Sequence, residues 1–258
     1  MRRARPGPPA GTTRTIRIDV QYDGTDYVGW QRQARGTSIQ GLLERALSKV
    51  ASEKITLFGA SRTDAGVHAR QQVASFSLKK SRTPIEAFVK GTNSILPDDI
   101  RVHRAAEVDL GFLASGTAKE KTYRYFLSPG EDPPVFYRRY SWNIRGPIDI
   151  GAMRDAAAAL VGMHDFSSFR AGRPDTKTSV RTILKAEWEV TPLGLVCFEI
   201  SGTGFLKYMV RGIVGTLVET GLHRLAPEEM RRILESKDRR AAGPTAPPRG
   251  LFLWSVVF

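Results

Sequence analysis

The alternation at residues 15–23 limits the fold more than any other feature. Ile16, Ile18, Val20 and Tyr22 are interleaved with Arg17, Asp19, Gln21 and Asp23. Successive side chains of a strand point to opposite faces, so this is a strand with one apolar and one wet face. A helix follows. Ser38 stands at its cap, and Ile39, Leu42, Leu43, Ala46, Leu47 and Val50 recur at helical spacing as its core face. Residues 54–58 and 72–78 read as strands. Thr83-Pro84-Ile85-Glu86 predicts a capping box with proline at the first helical position. That helix runs toward Ser94 and buries Ile85, Phe88 and Val89, and a strand through Ile100 and Val102 follows Pro97-Asp98-Asp99. Strand, helix, strand, strand, helix, strand over 15–105 is the order of an α+β lobe of ferredoxin-like type.

Residues 105–116 read as the connection to a second lobe, 106–258. Tyr123 and Tyr125 share one face of a strand and Arg124 takes the other. Residues 129–147 read as a proline-rich, aromatic surface loop, and Asp149 as the cap of a helix over 150–161. Residues 164–179 form a polar, basic stretch that suits either an RNA-gripping or a merely solvated loop. Val180, Thr182, Leu184, Ala186, Trp188 and Val190 alternate with polar partners and Ile183, and a turn at 191–194 returns the chain through Val196, Phe198 and Ile200. This predicts a hairpin. A helix with Leu206, Met209, Val210, Ile213 and Leu217 buried ends near Gly221. Arg211 is out of place on that apolar stripe, where a cation calls for a carboxylate partner. A short helix over 227–236 precedes a final strand, 251–258, apolar on both faces and therefore central.

One loop stands out. From Gly59 to Ala69 the chain runs Gly-Ala-Ser-Arg-Thr-Asp-Ala-Gly-Val-His-Ala. Gly66 lets the backbone bend or approach a ligand. Arg62 brings a permanent charge with a planar fork of donors. Asp64 is the only carboxylate between Glu53 and Glu86. Among so many cations it is expected to stay ionised at neutral pH, which suits a nucleophile better than a proton donor. A polar turn with a solvated Arg–Asp pair would look the same in composition. Nearby, Trp30 within Tyr27-Val28-Gly29-Trp30-Gln31-Arg32-Gln33 fits either a base-stacking surface or the core.

Charge narrows the partner. The 258 residues carry 39 Lys and Arg against 26 Asp and Glu, a net charge of +13. Such a surplus points to a polyanion, nucleic acid first, although an arginine-rich composition accounts for part of it. Arg2, Arg3, Arg5 and Arg14 sit among Pro and Gly in 1–14, which reads as a disordered basic tail. A single cysteine, Cys197, rules out an internal disulfide. There is no apolar span of membrane length and no secretory leader, so a soluble cytoplasmic protein is expected. His68, His103, His164 and His223 have no metal-ligand spacing. Ser201-Gly202-Thr203-Gly204-Phe205-Leu206-Lys207 is not a phosphate loop, and Asp23-Gly24-Thr25-Asp26 is too short for a calcium loop. Neither metal nor cofactor is expected.

The Arg62-Thr63-Asp64-Ala65-Gly66-Val67-His68 run resembles the catalytic loop of the tRNA pseudouridine synthase A family. Further similarity lies in Tyr22 to Gln33, in the strand holding Tyr123, and in the run from Phe205 to Gly215. The resemblance implies two ferredoxin-like (RRM-like) lobes sharing a mostly antiparallel central sheet, the pseudouridine synthase fold. It implies isomerisation of uridine to pseudouridine at positions 38–40 of the tRNA anticodon stem-loop, by a homodimer without cofactor. It makes Asp64 the nucleophile, Arg62 the side chain that displaces the target base, Tyr123 its stacking partner and Arg211 the cation paired with Asp64. Attack at the sugar or at the base stays open. The alternatives are the same isomerase on another RNA, or a non-catalytic RNA-binding or chaperone protein. The family usually has glycine where this chain has Ser61, so a positive φ there would strain it.

Overall fold

The computed structural model describes residues 11–132, 135–170 and 178–258. It divides into two compact units. The first runs to Lys119 and takes in Leu253–Phe258, and the second is Glu120–Phe252.

In the first unit, β1 (Arg14–Tyr22) lies antiparallel between β3 (His68–Leu78) and β4 (Ile100–Val108). The short β2 (Phe58–Gly59) pairs with the other edge of β3. The order β4-β1-β3-β2, all antiparallel, is the split βαβ arrangement that the element order predicts. Helices α1 (Ile39–Ala51) and α2 (Ile85–Asn93) pack on each other, and a short α3 (Ala114–Thr117) follows β4. Ile16, Ile18 and Val20 are fully buried, as the alternation requires. Ser38 caps α1, its hydroxyl oxygen accepting the Gly41 N–H at 3.2 Å.

Several expectations change here. Of residues 54–58 only Phe58 is strand, because the backbone of this run bonds to side chains of α1 instead of a ladder. Ser48 Oγ accepts the Ile55 N–H at 2.9 Å, Glu44 accepts the Leu57 N–H at 2.8 Å, and Gln40 donates to the Leu57 carbonyl at 3.0 Å. This puts Glu44 inside, on the flank of α1 beside the face expected to be apolar, while Leu42 and Val50 stay half-buried. The capping box at Thr83 does not form. α2 starts after an extended Pro84, and the Thr83 hydroxyl is held by Ser81 at 2.7 Å. The end of the supposed tail is ordered. Thr13 bonds back to Leu78 through its N–H at 2.9 Å, and β1 begins at Arg14. Residues 1–10 lie outside the described residues.

The second unit repeats the same order of elements. β5 (Glu120–Pro129), α4 (Ile150–Ala158), β8 (Val180–Val190), β9 (Val196–Gly202) and α5 (Met209–Gly221) come in that order, with shorter elements between them, and β10 (Leu251–Val257) begins in this unit and ends in the first. The sheet order is β5-β9-β8-β7, with β7 (Gly162–Asp165) antiparallel at the edge and β6 (Trp142–Ile144) parallel to β5. Asp149 caps α4 through the Ala152 N–H at 2.9 Å. The β8–β9 hairpin forms, but its register shifts between Ile183 and Lys185. That irregularity turns Leu184 outward and buries Ile183, so the alternation read from 180 to 190 breaks in the middle. Residues 164–170, expected in a polar loop, are mostly built into the fold: His164 is in β7 and Phe169 is fully buried. Residues 171–177 of that stretch lie outside the described residues. A helix α6 (Glu229–Ser236) completes the unit. Cys197 is buried, and burial pushes its thiol up to about 12.

Glu44 is the clearest stability test in this architecture. Glu44→Ala leaves the buried Leu57 N–H without an acceptor. It should cost about 1–3 kcal/mol, read from the urea midpoint at unchanged m-value.

Candidate functional site

Asp64 sits at the tip of the turn between β2 and β3. The turn is held by backbone contacts to the segment after β1. The Trp30 N–H donates to the Thr63 carbonyl at 3.1 Å, the Gly66 N–H to the Tyr27 carbonyl at 3.3 Å, and the Val67 N–H to the Asp64 carbonyl at 3.1 Å. Thr63 is buried, and its hydroxyl meets the Tyr22 hydroxyl at 2.8 Å. Gly29 has a φ of +102°, and a Cβ there would stand 2.6 Å from the Thr63 carbonyl oxygen. A Cβ on Gly24 would overlap the Val67 carbonyl. The two ribbons therefore touch backbone to backbone, which only glycine permits. Gly66 has a φ of +76°, in line with its expected role as the bend.

The other arm of the turn is closed by one side chain. Gln72 is fully buried in β3. Its amide donates to the Ser61 carbonyl at 2.7 Å and its oxygen accepts the Ser61 N–H at 3.2 Å. A side-chain amide thus replaces a missing strand partner. Among the described residues the left-handed non-glycines are Ser52, Tyr208, His223 and Lys237, and Ser61 is not one of them. The strain that a serine would suffer at that position therefore does not arise.

Within this frame the side chains sort by direction. Arg62 is exposed, Thr63 points in, and Asp64 is half-buried. Trp30 is 2% exposed, stacks on Tyr22 and covers Gly59, where a Cβ would come within 2.6 Å of its ring. It is a core residue, which settles the choice left open by the sequence. His68 is buried beneath the turn. Its Nδ1 lies 3.1 Å from the Gly24 N–H and 3.0 Å from the Asp23 carboxylate. One ring nitrogen accepts from the first or donates to the second, according to its tautomer. Tyr27 donates to Asp99 at 2.6 Å, anchoring the outer ribbon to the start of β4, and burial followed by Asp99 raises its phenol well above the usual range. Sequence reading did not single out Tyr22, Gln72 or His68 as supports. Their partners are distant in the chain, and no local pattern marks them.

In the second unit, Tyr123 and Tyr125 are both buried on β5, on the face predicted. Their surroundings differ. The Tyr125 hydroxyl donates to the Pro247 carbonyl at 2.7 Å, and its ring fills the space over Gly250. Its phenol is raised out of the titratable range, chiefly by burial. Tyr123 meets Phe205 edge-on at 5.0 Å. Arg124, on the opposite face, bonds Glu199 at 2.6 Å, and Glu199 also takes Lys185 at 2.9 Å. Arg211 is half-buried in α5. Its Nε donates to the Ala246 carbonyl at 2.7 Å and its guanidinium lies 5.1 Å from the Tyr208 ring centre. Lys121, two residues before Tyr123 and so on its side of β5, is half-buried. Burial, with Arg181 adding to it, pushes its ammonium down to about 8.

Among the described residues no group of His, Cys, Asp or Glu is placed to hold a metal ion, and no helix is long and apolar enough to cross a membrane. The first unit offers the half-buried Asp64 carboxylate on a backbone-bonded turn beside the exposed Arg62, and the second offers the buried Tyr123 and the half-buried Arg211.

A family model described as tRNA pseudouridine synthase matches residues 19–114 and 156–258. Arg62, Asp64 and Arg211 fall inside these stretches and Tyr123 between them. Among curated relatives, tRNA pseudouridine synthase A of Moorella thermoacetica is 46% identical over 246 residues, covering 94% of this chain and 99% of the relative. The protein of that name from Acetivibrio thermocellus is 42% identical over 245 residues, covering 95% of this chain and 100% of the relative. That from Pelobacter propionicus is 43% identical over 249 residues, with 95% and 100% covered.

Two outcomes test this geometry. Gln72→Leu unpairs both backbone groups of Ser61 and should lower stability by about 1–3 kcal/mol, with calorimetry as the measure. Lys121 is depressed in the fold, so between pH 8 and the ordinary lysine range the unfolded chain binds the extra proton and stability rises with pH. Lys121→Met should therefore melt higher than the parent at pH 7, with the gap closing by about pH 10.5.

Proposed function

The chain belongs to the tRNA pseudouridine synthase family, and from that premise we propose that it isomerises uridine to pseudouridine in tRNA, at positions 38–40 of the anticodon stem-loop, with Asp64 as the catalytic carboxylate. The reaction breaks the bond between the sugar and N1 of uracil, turns the base, and joins C5 to the same sugar carbon. C5 gives up its proton and N1 gains one, so nothing is oxidised and no group is consumed.

Each residue has a role in this reading. Arg62, exposed beside the turn, takes the place of the displaced base in the RNA stem. Asp64 attacks, or stabilises the charge that develops on the sugar. Tyr123 stacks on the swung-out uracil, and its hydroxyl assists removal of the C5 proton. Arg211 pairs with Asp64 and fixes its rotamer. Extruding a base costs a few kcal/mol, which stacking and phosphate contacts offset. The surplus of cations supplies those contacts. The protein works in the cytoplasm as a homodimer that grips one tRNA across both subunits. The observation that carries the reading is the turn itself. Gln72 holds the backbone at Ser61, and Tyr22, Trp30 and Gly29 hold it at Thr63, next to Asp64, and preorganisation of this kind is what a charge-stabilising group needs.

Asp64→Asn keeps the shape and removes the charge. Tritium release from C5-labelled uridine in tRNA should fall below about a thousandth of the parent's, while tRNA binding measured by filter retention persists. Continued turnover by this variant would remove Asp64 from the mechanism. Tyr123→Phe keeps the stack and loses the hydroxyl, and should lower kcat with little change in KM. In a double-mutant cycle, Arg211→Gln should add little to the loss in Asp64→Asn if the two side chains act as a pair.

A further inference from the structure

A hollow of about 440 Å³ opens beside α1, lined by Arg32, Gly41, Glu44, Arg45, Ser48 and Lys54 among others. Its charges do not cancel. Glu44 turns inward to the Leu57 N–H and the Gln40 amide, and Arg32 neutralises it at 3.2 Å. Arg45 and Lys54 are exposed. Neither has a hydrogen bond or ion pair among the described residues. Ser48 already accepts the Ile55 N–H, so its own hydroxyl proton remains to be donated. At Gly41 a Cβ would press on the Ser38 hydroxyl at 3.1 Å and lie in ordinary contact with Arg32 Cγ at 3.7 Å and an Arg45 guanidinium nitrogen at 3.9 Å, so both arginines lie along this position.

We propose that this hollow binds a phosphate of the RNA backbone, with Arg45, Lys54 and the Ser48 hydroxyl as donors. The choice of RNA rests on the tRNA reading above. A phosphodiester offers acceptors only and one negative charge, and it meets here two uncompensated cations and a hydroxyl, beside a Glu44 carboxylate already held by Arg32, the Leu57 N–H and the Gln40 amide. The hollow is tied to the Asp64 turn by a short path within the same unit. Arg32 is two residues from Trp30, whose carbonyl accepts the Gln40 N–H of α1 and whose ring covers Gly59. A phosphate held here fixes the register of the RNA strand against the frame that carries Asp64.

The test is the salt dependence of tRNA binding by the Arg45→Gln/Lys54→Gln pair. The slope of log affinity against log salt should fall by about 2. The Kd at physiological salt should rise roughly tenfold, while kcat at saturating tRNA stays at the parent's value. The control is Arg224→Gln/Arg240→Gln. It removes as much charge, but from arginines bound to Glu219 and Asp238, and it should leave the slope alone. An unchanged slope in the first pair, or an equal fall in the control pair, overturns the proposal. Tritium release by the parent protein is read in parallel. Its absence would sink the isomerase reading, whereas normal release with an unchanged slope sinks only the phosphate site.

Discussion

A carboxylate is useful to a reaction only if its backbone stays where the substrate needs it, and here that depends on Thr63. This one residue is bonded from both ends. Its carbonyl takes the Trp30 N–H and its hydroxyl meets Tyr22, while the residues on either side of it, Arg62 and Asp64, are left to face outward or partly so. An alternating in–out pattern across three residues is strand geometry carried into a turn. The inward residue bears the structural load, and its neighbours are free for chemistry.

Around that anchor the polar interior is arranged so that few groups are left unpaired. Gln72 closes the Ser61 peptide, Glu44 closes the Leu57 peptide, and His68 lies against Gly24 and Asp23. Each is a long polar side chain doing what a neighbouring strand would do in a regular sheet. Such groups are expensive to bury alone and rigid once satisfied. The site therefore rests on a polar scaffold within a lobe whose core is otherwise mostly aliphatic and aromatic.

Much of this was open to reading in the chain because it is local. The β1 alternation and the Ser38 cap each lie within a few residues, and period and composition suffice for them, whereas the Arg62–Asp64 run looks like any polar turn by composition and stands out only through its resemblance to a family loop. What escaped was non-local. Residues 54–57 look like a strand by apolarity, yet their hydrogen bonds go to side chains of α1. The flip at Leu184 follows from a register shift against β9 that no property of β8 announces. Tyr123 and Tyr125 are equivalent by period, and contacts far along the chain set them apart, among them the Pro247 carbonyl for Tyr125 and the Phe205 ring for Tyr123. Thr83 stands one residue before the Pro84 cap of α2, and its hydroxyl meets Ser81 instead.

The contact of Gly24 and Gly29 with the turn has a kinetic side. Two ribbons in touch through main-chain atoms, with no side chain between them to flex, cannot separate by degrees. Fluctuations that release the Gly66 amide must lift the stretch around Tyr27 as well, so solvent deuterium should enter both at a common rate. The turn around Asp64 then opens as one cooperative piece or stays shut, a behaviour closer to a hinged plate than to a loop.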